Sequence, residues 1–375
     1  MRIEFFKHNL GPEELKSFTK ASKLLFLTTG ELVDEFEAKL SKYLDVKDSV
    51  GLTSCTGALH LALLAAGVQP GDEVITTPLS YVATAHAIGN AGAVPVFVDV
   101  EKSTGNIDAD KIAKAITKKT KAILPVHLYG LMADMKKILE IGKKHNLPVI
   151  EDAAHALESE RDGIRPGTHS FGACFSFYAT KSITSGEGGA FSTQHPEAAK
   201  VVRQLRSHGI SSEVAQRSRV GVKHYDIDKL GWKYNMYNLQ AALLLPQLKR
   251  AEKIWQRRAE IAERYAKEFG PAGISFPKTI RGAKHGHHLF TIWADPQKRD
   301  HLIDLLQIKG IPTMINYPPI HLFSYYKNNF GYKAGDFPNA EWISARTLSL
   351  PLYAKLTNAE VSYIIEQVKN ALQQI

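Results

Sequence analysis

The sequence predicts an α/β protein with a mostly parallel sheet, followed by a second, smaller α/β unit. Over the first 250 of the 375 residues, short apolar runs alternate with helix-period segments, which is typical of parallel strands joined by crossover helices. A long amphipathic helix then leads to a further strand-like run and more helices. The chain is long enough for more than one packed unit.

Seven apolar runs in the first part have the length of buried strands, and turn residues or helix-period segments separate them. The predicted strands are Ser49–Thr53, Glu73–Thr77, Val94–Val98, Lys121–His127, Pro148–Asp152, Ala173–Phe177 and Gly189–Thr193. The predicted helices between them are Ala58–Ala66, Tyr81–Gly89, Asp108–Ile116 and Met132–His145.

The second unit begins with the helix Ala251–Phe269, which Gly270 and Pro271 end. We therefore expect a large domain over residues 1–250 and a small one over residues 251–375, with the N-terminal segment able to pack with the small domain. The predicted later elements are the strand His288–Trp293, a helix over Arg299–Gln307, the apolar run Ile311–Ile315, and a last helix that begins at a capping box from Thr357 to Glu360.

Composition excludes several classes of protein. A hydrophobic content of 44% with 23% charged residues excludes a disordered chain. Two cysteines, Cys55 and Cys174, are too few for a disulfide framework or a four-cysteine metal site, and they fit a reducing compartment. The longest uncharged run, Val74–Val98, contains prolines and glycines, so it indicates buried elements and turns. We expect a soluble, cytoplasmic protein that does not span a membrane.

The formal net charge of +9 favours anionic partners, among them nucleic acids, acidic metabolites and nucleotide diphosphates. The basic clusters fall on amphipathic helical stretches or at the starts of strands, so a solvated helix face is favoured over a DNA-binding stripe. No dinucleotide-binding, P-loop or zinc-protease motif is present. The run His285-Gly286-His287-His288 lacks a nearby carboxylate or cysteine, so it predicts a loop leading into a strand and no metal site.

Lys181 is the only Asp, Glu, Lys or Arg between Pro166 and Gly186. Most isolated lysines lie on the surface, but this one follows a buried, aromatic strand. Desolvation disfavours a charged amine and makes it a better nucleophile, as Schiff-base chemistry requires. Asp152 ends another strand, where ligands of open α/β sheets bind, although such a residue also commonly caps the next helix. A strand-end acid with a buried lysine is the pair that pyridoxal phosphate (PLP) needs.

Ser54, Cys55 and Thr56 stand between a strand and a helix N-terminus, where backbone N–H groups can bind a phosphate. Ser and Thr also serve there simply as helix caps. We favour a backbone-donor role for Cys55 over a reactive thiol, since no base is nearby in sequence. Tyr81 opens a helix and could stack on a planar ring or belong to the core. Glu187 fits either a turn or a substrate contact.

These features together resemble the sugar-nucleotide aminotransferases of the DegT/StrS type, which are fold-type I PLP enzymes. The similar blocks run nearly from end to end of the chain, in the family's order. Among them are TSCTGALHLAL from Thr53, VIEDAAHALES from Val149, FSFYATKSITSGEGGA from Phe175 and LGWKYNMYNLQAALLLPQL from Leu230. The resemblance implies a large domain with a mixed, mostly parallel seven-stranded sheet and a smaller C-terminal α/β domain.

The resemblance also implies roles for individual residues. Lys181 matches the lysine that binds the cofactor covalently and transfers the proton, and Asp152 matches the partner of the pyridine nitrogen. The other implied cofactor contacts are His155 near the ring hydroxyl, Tyr81 stacked on the ring, and Cys55, Thr56 and Ser176 at the phosphate. In the family a second subunit completes the phosphate site. Lys233 and Asn235 match that block, and we favour Asn235.

The function implied is transfer of an amino group from an amino acid, L-glutamate in most relatives, to a keto-sugar carried on a nucleotide diphosphate, most commonly a 4-keto-6-deoxy hexose. PLP is the cofactor, pyridoxamine phosphate (PMP) its intermediate form, and a homodimer the active unit. We expect Tyr317, His321 and the loops Ser211–Lys229 and Ser324–Asn339 to line the sugar-nucleotide groove. The alternatives are a dehydratase or epimerase of the same fold and a non-catalytic regulator. Related dehydratases replace the lysine by histidine, so Lys181 favours transamination.

Overall fold

The structure, a computed structural model, describes residues 1–210 and 226–374 of the chain. The helices up to residue 250 are α1 (Pro12–Ala21), α2 (Glu31–Leu44), α3 (Cys55–Ala65), α4 (Ala83–Asn90), α5 (Ala109–Ala115), α6 (Met135–His145), α7 (Pro196–Leu205) and α8 (Asn238–Lys249). The strands among them are β1 (Asp48–Leu52), β2 (Glu73–Thr76), β3 (Val94–Phe97), β4 (Thr120–Ile123), β5 (Ile150–Asp152), β6 (Gly172–Ser176) and β7 (Gly189–Thr193). Then come α9 (Ala251–Phe269), β8 (Phe290–Trp293), α10 (Arg299–Ile308), α11 (Ser324–Phe330), α12 (Pro338–Arg346), β9 (Thr347–Leu350) and α13 (Asn358–Gln374).

The strands β1 to β7 form two hydrogen-bonded groups, a three-stranded sheet in the order β3-β2-β4 and a four-stranded sheet in the order β5-β6-β7-β1. Isolated parallel bridges from Ile123 to Val149 and from Val126 to Asp152 connect β4 with β5. The resulting order is β3-β2-β4-β5-β6-β7-β1. Strand β7 runs antiparallel to both of its neighbours, β6 and β1, and the other six strands all point the same way. This arrangement confirms the predicted mixed, mostly parallel architecture.

Because six of the seven strands are parallel, their carboxyl ends meet along one edge of the sheet. The connections after β1, β2, β5 and β6 therefore lie near each other, although they are far apart in the sequence. The close approach of α3 to β7 also depends on Gly189. A Cβ on this glycine would lie 2.2 Å from the backbone carbonyl carbon of Ser54, so only glycine lets the helix start there.

Several predicted boundaries are wrong by a few residues, each for a local reason. Helix α3 begins at Cys55, three residues before the predicted start, because the Ser54 side chain accepts a hydrogen bond from the backbone N–H of Gly57. Helix α6 begins later than predicted because Asp134 is its N-cap. The apolar run Ile311–Ile315 forms no strand and makes a single bridge, at Met314.

The second part of the chain has its own apolar core. The helix α9 has the predicted bounds, and it packs with α10, α13 and the antiparallel pair of β8 and β9. Ile3 joins this core, and its backbone N–H donates to the carbonyl of Gly310 at 2.9 Å. The domain boundary between residues 250 and 251 stays a prediction. A separate apolar core in the second part is what such a boundary leads one to expect. Within the described residues, none of the helices has both the length and the apolar character that a membrane span needs.

The segment Ser324–Asn339, expected to be a loop, contains the helix α11 and the start of α12. Its buried side chains, Tyr326 and Phe337, pack with Leu79, Phe97 and other residues of the first part. The segment therefore anchors the C-terminal half of the chain beside β2 and β3. The other segment expected to line the groove is Ser211–Lys229. Its residues 211–225 lie outside the part of the chain that the structure describes.

Candidate active site

Asp152 occupies the carboxyl end of β5, where its side chain is buried and held at both oxygens. The Thr84 hydroxyl donates to Oδ2 at 2.7 Å, and the backbone N–H of Ala154 donates to Oδ1 at 3.1 Å. A third group, the Ser80 hydroxyl, lies 2.9 Å from the Thr84 hydroxyl. Burial raises the pKa of the Asp152 carboxyl, and the bonds from Thr84 and Ala154 oppose that rise. The carboxylate has a fixed orientation towards the cleft.

Lys181 follows β6 in a short turn, in which its backbone N–H donates to the carbonyl of Tyr178 at 2.9 Å. Burial of the amine lowers the pKa of Lys181 to about 8, while the charge of Asp152 acts in the opposite direction. The Lys181 Nζ lies 3.4 Å from Nε2 of His288. The amine is therefore partly neutral near physiological pH, as a nucleophile and proton carrier must be.

The N-terminus of α3 opens onto the same cleft. Ser54, Cys55 and Thr56 line the cleft there, together with Ser176 at the end of β6. The first-turn N–H groups and the helix dipole make this end of α3 suitable for an anion. Burial raises the pKa of the Cys55 thiol well above its usual range, and the Asp152 charge adds to the rise. A thiolate is therefore disfavoured at Cys55. We continue to favour its backbone N–H as a donor to a phosphate.

The cleft between these elements has a volume of about 700 Å³. It brings together ten of the residues that the sequence singles out, although 263 positions separate the first, Ser54, from the last, Tyr317. These are Ser54, Cys55, Thr56, Tyr81, Asp152, His155, Ser176, Lys181, Glu187 and Tyr317.

His155 and Tyr317 lie on the wall of the cleft beside Lys181. The Tyr317 hydroxyl is 3.2 Å from Nε2 of His155. Nδ1 of His155 is buried without a hydrogen-bond partner among the described residues, so a polar ligand group would satisfy it. Burial and the Lys181 charge lower the pKa of the His155 imidazole well below its usual range, which keeps the ring neutral.

Tyr81 and Glu187 stand at the mouth of the cleft. Tyr81 is 62% exposed, so it is not a core residue, and its ring centre lies 6.2 Å from that of Tyr317. Glu187 presents its side chain to solvent, whereas its backbone carbonyl accepts a hydrogen bond from Gln240 at 2.7 Å. Both side chains are available to a molecule that enters the cleft.

His321 does not line the cleft, contrary to the sequence-based expectation. Its ring is completely buried, 4.8 Å from the ring centre of Phe337, and Nε2 lies 3.0 Å from Oε1 of Glu341. The segment Ser324–Asn339 is likewise absent from the lining of this cleft. We therefore assign His321 a packing role and no longer expect it to contact a substrate.

Asn235 and Lys233 also lie outside the lining of the cleft. Asn235 is 7% exposed, and its side-chain amide donates to the Thr29 hydroxyl at 2.7 Å. Lys233, in contrast, is exposed. Contact of either residue with a phosphate in a second subunit stays a prediction, and the exposed Lys233 is the more accessible of the two.

Three residues of the site are absent from the sequence-based predictions. Thr84 lies one helical turn beyond Tyr81, a spacing that could have revealed it. Ser80 precedes Tyr81 directly. His288 belongs to the His285–His288 run, which does lead into β8 as predicted. Its contact with Lys181 spans 107 residues, and no local pattern indicates it.

These side chains fit PLP. A lysine amine, a carboxylate, a helix N-terminus and an unsatisfied imidazole nitrogen all face one cleft. They supply, in turn, a covalent attachment point, a partner for a ring nitrogen, a phosphate site and a group near the ring hydroxyl. In contrast, the part of the chain that the structure covers contains no cluster of three or more His, Cys, Asp or Glu suited to a metal ion.

The chain is similar to known proteins along nearly its whole length. The chain matches the model of the DegT/DnrJ/EryC1/StrS aminotransferase family over residues 8–369. SpsC of Bacillus subtilis, a spore coat polysaccharide biosynthesis protein, is 40% identical over 371 residues, which cover 97% of this chain and 95% of SpsC.

Two solved structures superpose over the whole chain. Spr1654 of Streptococcus pneumoniae, described as a sugar aminotransferase, has a TM-score of 0.94 and 31% identity in its PMP form, over 100% of both chains. PseC of Helicobacter pylori, an aminotransferase involved in the biosynthesis of pseudoaminic acid, has a TM-score of 0.93 and 28% identity, again over 100% of both chains. The first of them is also known in a PLP form. The chain therefore belongs to the DegT/DnrJ/EryC1/StrS aminotransferase family and is a PLP-dependent enzyme.

Proposed function

We propose that the protein transfers an amino group from L-glutamate to a keto-sugar carried on a nucleotide diphosphate, a 4-keto-6-deoxy hexose, giving an amino sugar. The observation that carries this proposal is that the Lys181 amine, the Asp152 carboxylate and the N-terminus of α3 face one cleft. The net charge of +9 is favourable for the approach of both anionic substrates. Relatives that act in polysaccharide and pseudoaminic acid biosynthesis support a sugar substrate.

In this function PLP, when bound, withdraws electrons from the carbon that carries the amino group, which makes the proton on that carbon acidic. Asp152 would accept a hydrogen bond from the protonated ring nitrogen. The first turn of α3 and Ser176 would bind the phosphate, and Tyr81 would stack on the ring. Lys181 would hold the cofactor covalently through Nζ.

Lys181 has a second task once the amino donor has displaced it. Its free Nζ would take the proton from the donor's Cα and hold it until it is returned on the cofactor side, and in the second half of the reaction it would move a proton in the opposite direction. A pKa of about 8 suits both directions, because the amine gains and loses a proton near neutral pH. One lysine therefore serves as base and acid in turn.

We also propose that the protein acts in the cytoplasm as a homodimer in which a second copy covers the entrance of the cleft. Leu25 and Tyr237 are 89% and 41% exposed, respectively. They belong to neighbouring segments, because the Asn238 amide donates to the carbonyl of Phe26 at 2.8 Å. Exposed apolar side chains close together favour a protein contact, and Lys233 lies four residues before Tyr237 in the sequence.

The proposed function is tested by the absorbance of the purified protein with PLP, before and after addition of L-glutamate. We expect a yellow band that L-glutamate bleaches with release of 2-oxoglutarate, and that the keto-sugar nucleotide restores. The variant Lys181→Ala should show no such band. Release of a deoxygenated sugar without an amino group would instead identify a dehydratase. The absence of any band with PLP would contradict the proposed enzymatic function and favour a non-catalytic regulator.

The lowered pKa of Lys181 predicts the pH dependence of cofactor attachment. Only the neutral amine attacks PLP, and burial shifts the pKa of the amine from its ordinary value of 10.5 to about 8. In cofactor-free protein, the rate of band formation should rise with pH up to about 8, by about tenfold per pH unit at the acid end, and then level off. Stopped-flow absorbance measures it. A rate that rises until about pH 10 would show that Lys181 is not desolvated.

Thr84→Val should remove one of the hydrogen bonds that fix the Asp152 carboxylate. The change keeps the shape of the side chain but removes the donor to Oδ2, so the pKa of Asp152 should rise and the carboxylate should stabilise a protonated ring nitrogen less well. We expect kcat of the half-reaction with L-glutamate to fall roughly 10-fold. Ser80→Ala, which removes only the outer hydroxyl, is the matched control and should have a smaller effect. Equal rates in Thr84→Val and the wild type would contradict this role.

Tyr317→Phe and His321→Asn should separate substrate binding from packing. Tyr317 lines the cleft, whereas His321 is buried outside it. We expect Tyr317→Phe to raise KM for the keto-sugar nucleotide roughly 5- to 10-fold, as loss of one hydrogen bond does. We expect His321→Asn to lower the melting temperature with little change in that KM. The opposite pattern would restore the original expectation for His321.

A further inference from the structure

The His288 side chain lies beside the Lys181 amine in the cleft. Its Nε2 lies 3.4 Å from the Lys181 Nζ. His288 is buried and lines the cleft, yet it comes from the second half of the chain. The distance is long for a hydrogen bond, as is common for catalytic groups before their ligands bind.

Two glycines allow the chain to bring His288 to this place. The backbone N–H of Gly286 donates to the carbonyl of Gly130 at 2.7 Å. Gly130 has a φ of 102°, and a Cβ on it would lie 2.9 Å from the backbone nitrogen of His287. The backbone N–H of His288 then donates to the carbonyl of Tyr129 at 3.0 Å. The segment that carries His288 is therefore pinned to the connection after β4.

The ring of His288 is also held from the side. It stacks on the ring of His155, with the ring centres 4.2 Å apart and an angle of 28° between the planes. The Tyr317 hydroxyl, 3.2 Å from His155, holds that second ring in turn. Side chains restrained by packing and hydrogen bonds are the kind that position a reactive group.

The two imidazoles are neutral in this setting. Burial and the Lys181 charge lower the pKa of His288 well below its usual range, and the pKa of His155 is lowered for the same reasons. A neutral imidazole with its proton on Nδ1 has a lone pair on Nε2, so it can accept a hydrogen bond from the lysine. It also adds no positive charge that would repel the ammonium form.

We propose that His288 is a positioning residue of the amino-group transfer, in which Nε2 accepts a hydrogen bond from the Lys181 Nζ and holds the amine in place whenever the amine is not bound to the cofactor. The inference rests on the proposed PLP-dependent function.

The hydrogen count at Nζ agrees with this role. The neutral amine has two hydrogens and one lone pair. One hydrogen is donated to His288, which leaves the lone pair directed away from the imidazole and free to take a proton from the substrate. After that transfer the ammonium has three hydrogens, one of them still donated to His288. His288 itself neither gains nor loses a proton.

The lysine needs such a restraint because its side chain has four flexible methylene groups. During each half-reaction the amine is released from the cofactor and must return a proton to a defined atom. A displacement of about 1 Å in a reacting group can cost roughly 100-fold in rate. A fixed acceptor on one side of Nζ limits this displacement.

The test compares His288→Phe, which removes the acceptor, with His288→Gln, whose Oε1 can accept the same hydrogen bond. His288→Leu replaces the Phe variant if the larger ring prevents folding. The matched control is His287→Asn, because His287 is the neighbouring residue, stacks on His285 instead, and has a φ of 47° that asparagine tolerates. Melting temperatures confirm that each variant is folded.

The first readout needs neither amino donor nor sugar. Stopped-flow absorbance on cofactor-free protein separates the Kd of the initial PLP complex from the rate constant of covalent attachment. We expect His288→Phe to lower that rate constant roughly 10- to 100-fold with Kd changed less than about 3-fold. His288→Gln should recover most of the loss, and the control should match the wild type.

The second readout is the rate at which L-glutamate bleaches the band. We expect this rate to be highest in the wild type and the control, lower in His288→Gln and lowest in His288→Phe. Equal losses in His288→Phe and His288→Gln, or a change in Kd alone, would overturn the proposal and leave His288 a packing residue. If the wild type attaches PLP normally but L-glutamate does not bleach the band, the proposed transamination is contradicted. The attachment kinetics would still test the role of His288 in that case.

Discussion

The desolvation of one lysine amine is the constraint on which the rest of the site depends. In water the Lys181 ammonium would retain its proton at neutral pH and could neither attack a cofactor nor take a proton from a substrate. Burial lowers its pKa to about 8, and the surrounding groups keep that shift from becoming larger. Asp152 supplies a nearby negative charge, which favours the ammonium form. The neutral rings of His155 and His288 add no positive charge that would disfavour it.

The sheet provides the framework for this arrangement. Six parallel strands place their carboxyl ends along one edge, so that Asp152 after β5, Lys181 after β6 and the start of α3 after β1 meet without long excursions of the backbone. The antiparallel β7 presents Gly189, which lets the backbone at Ser54 approach closely. The helices α11 and α12 then attach the C-terminal half beside β2 and β3. The cleft forms between these two halves.

The predicted residues that the structure brings together in the cleft share a local signal. Lys181 is an isolated charge after an apolar strand, Asp152 ends a strand, and Ser54 stands before a helix, so each could be found from its own neighbourhood. The residues that sequence reasoning missed or misplaced depend on packing between distant segments. His288 reaches Lys181 over 107 residues through contacts of Gly130 and Gly286. His321 resembles a site residue in its sequence block, yet it is buried against Phe337.

The most direct measurement of the central claim is to reduce the PLP-loaded protein with borohydride and to locate the adduct by peptide mass spectrometry. Borohydride makes the link between PLP and a lysine permanent. If a single desolvated amine in the cleft is the reactive one, one adduct per chain should form, on the peptide that contains Lys181. Adducts spread over exposed lysines such as Lys233, with the Lys181 peptide unmodified, would contradict the account.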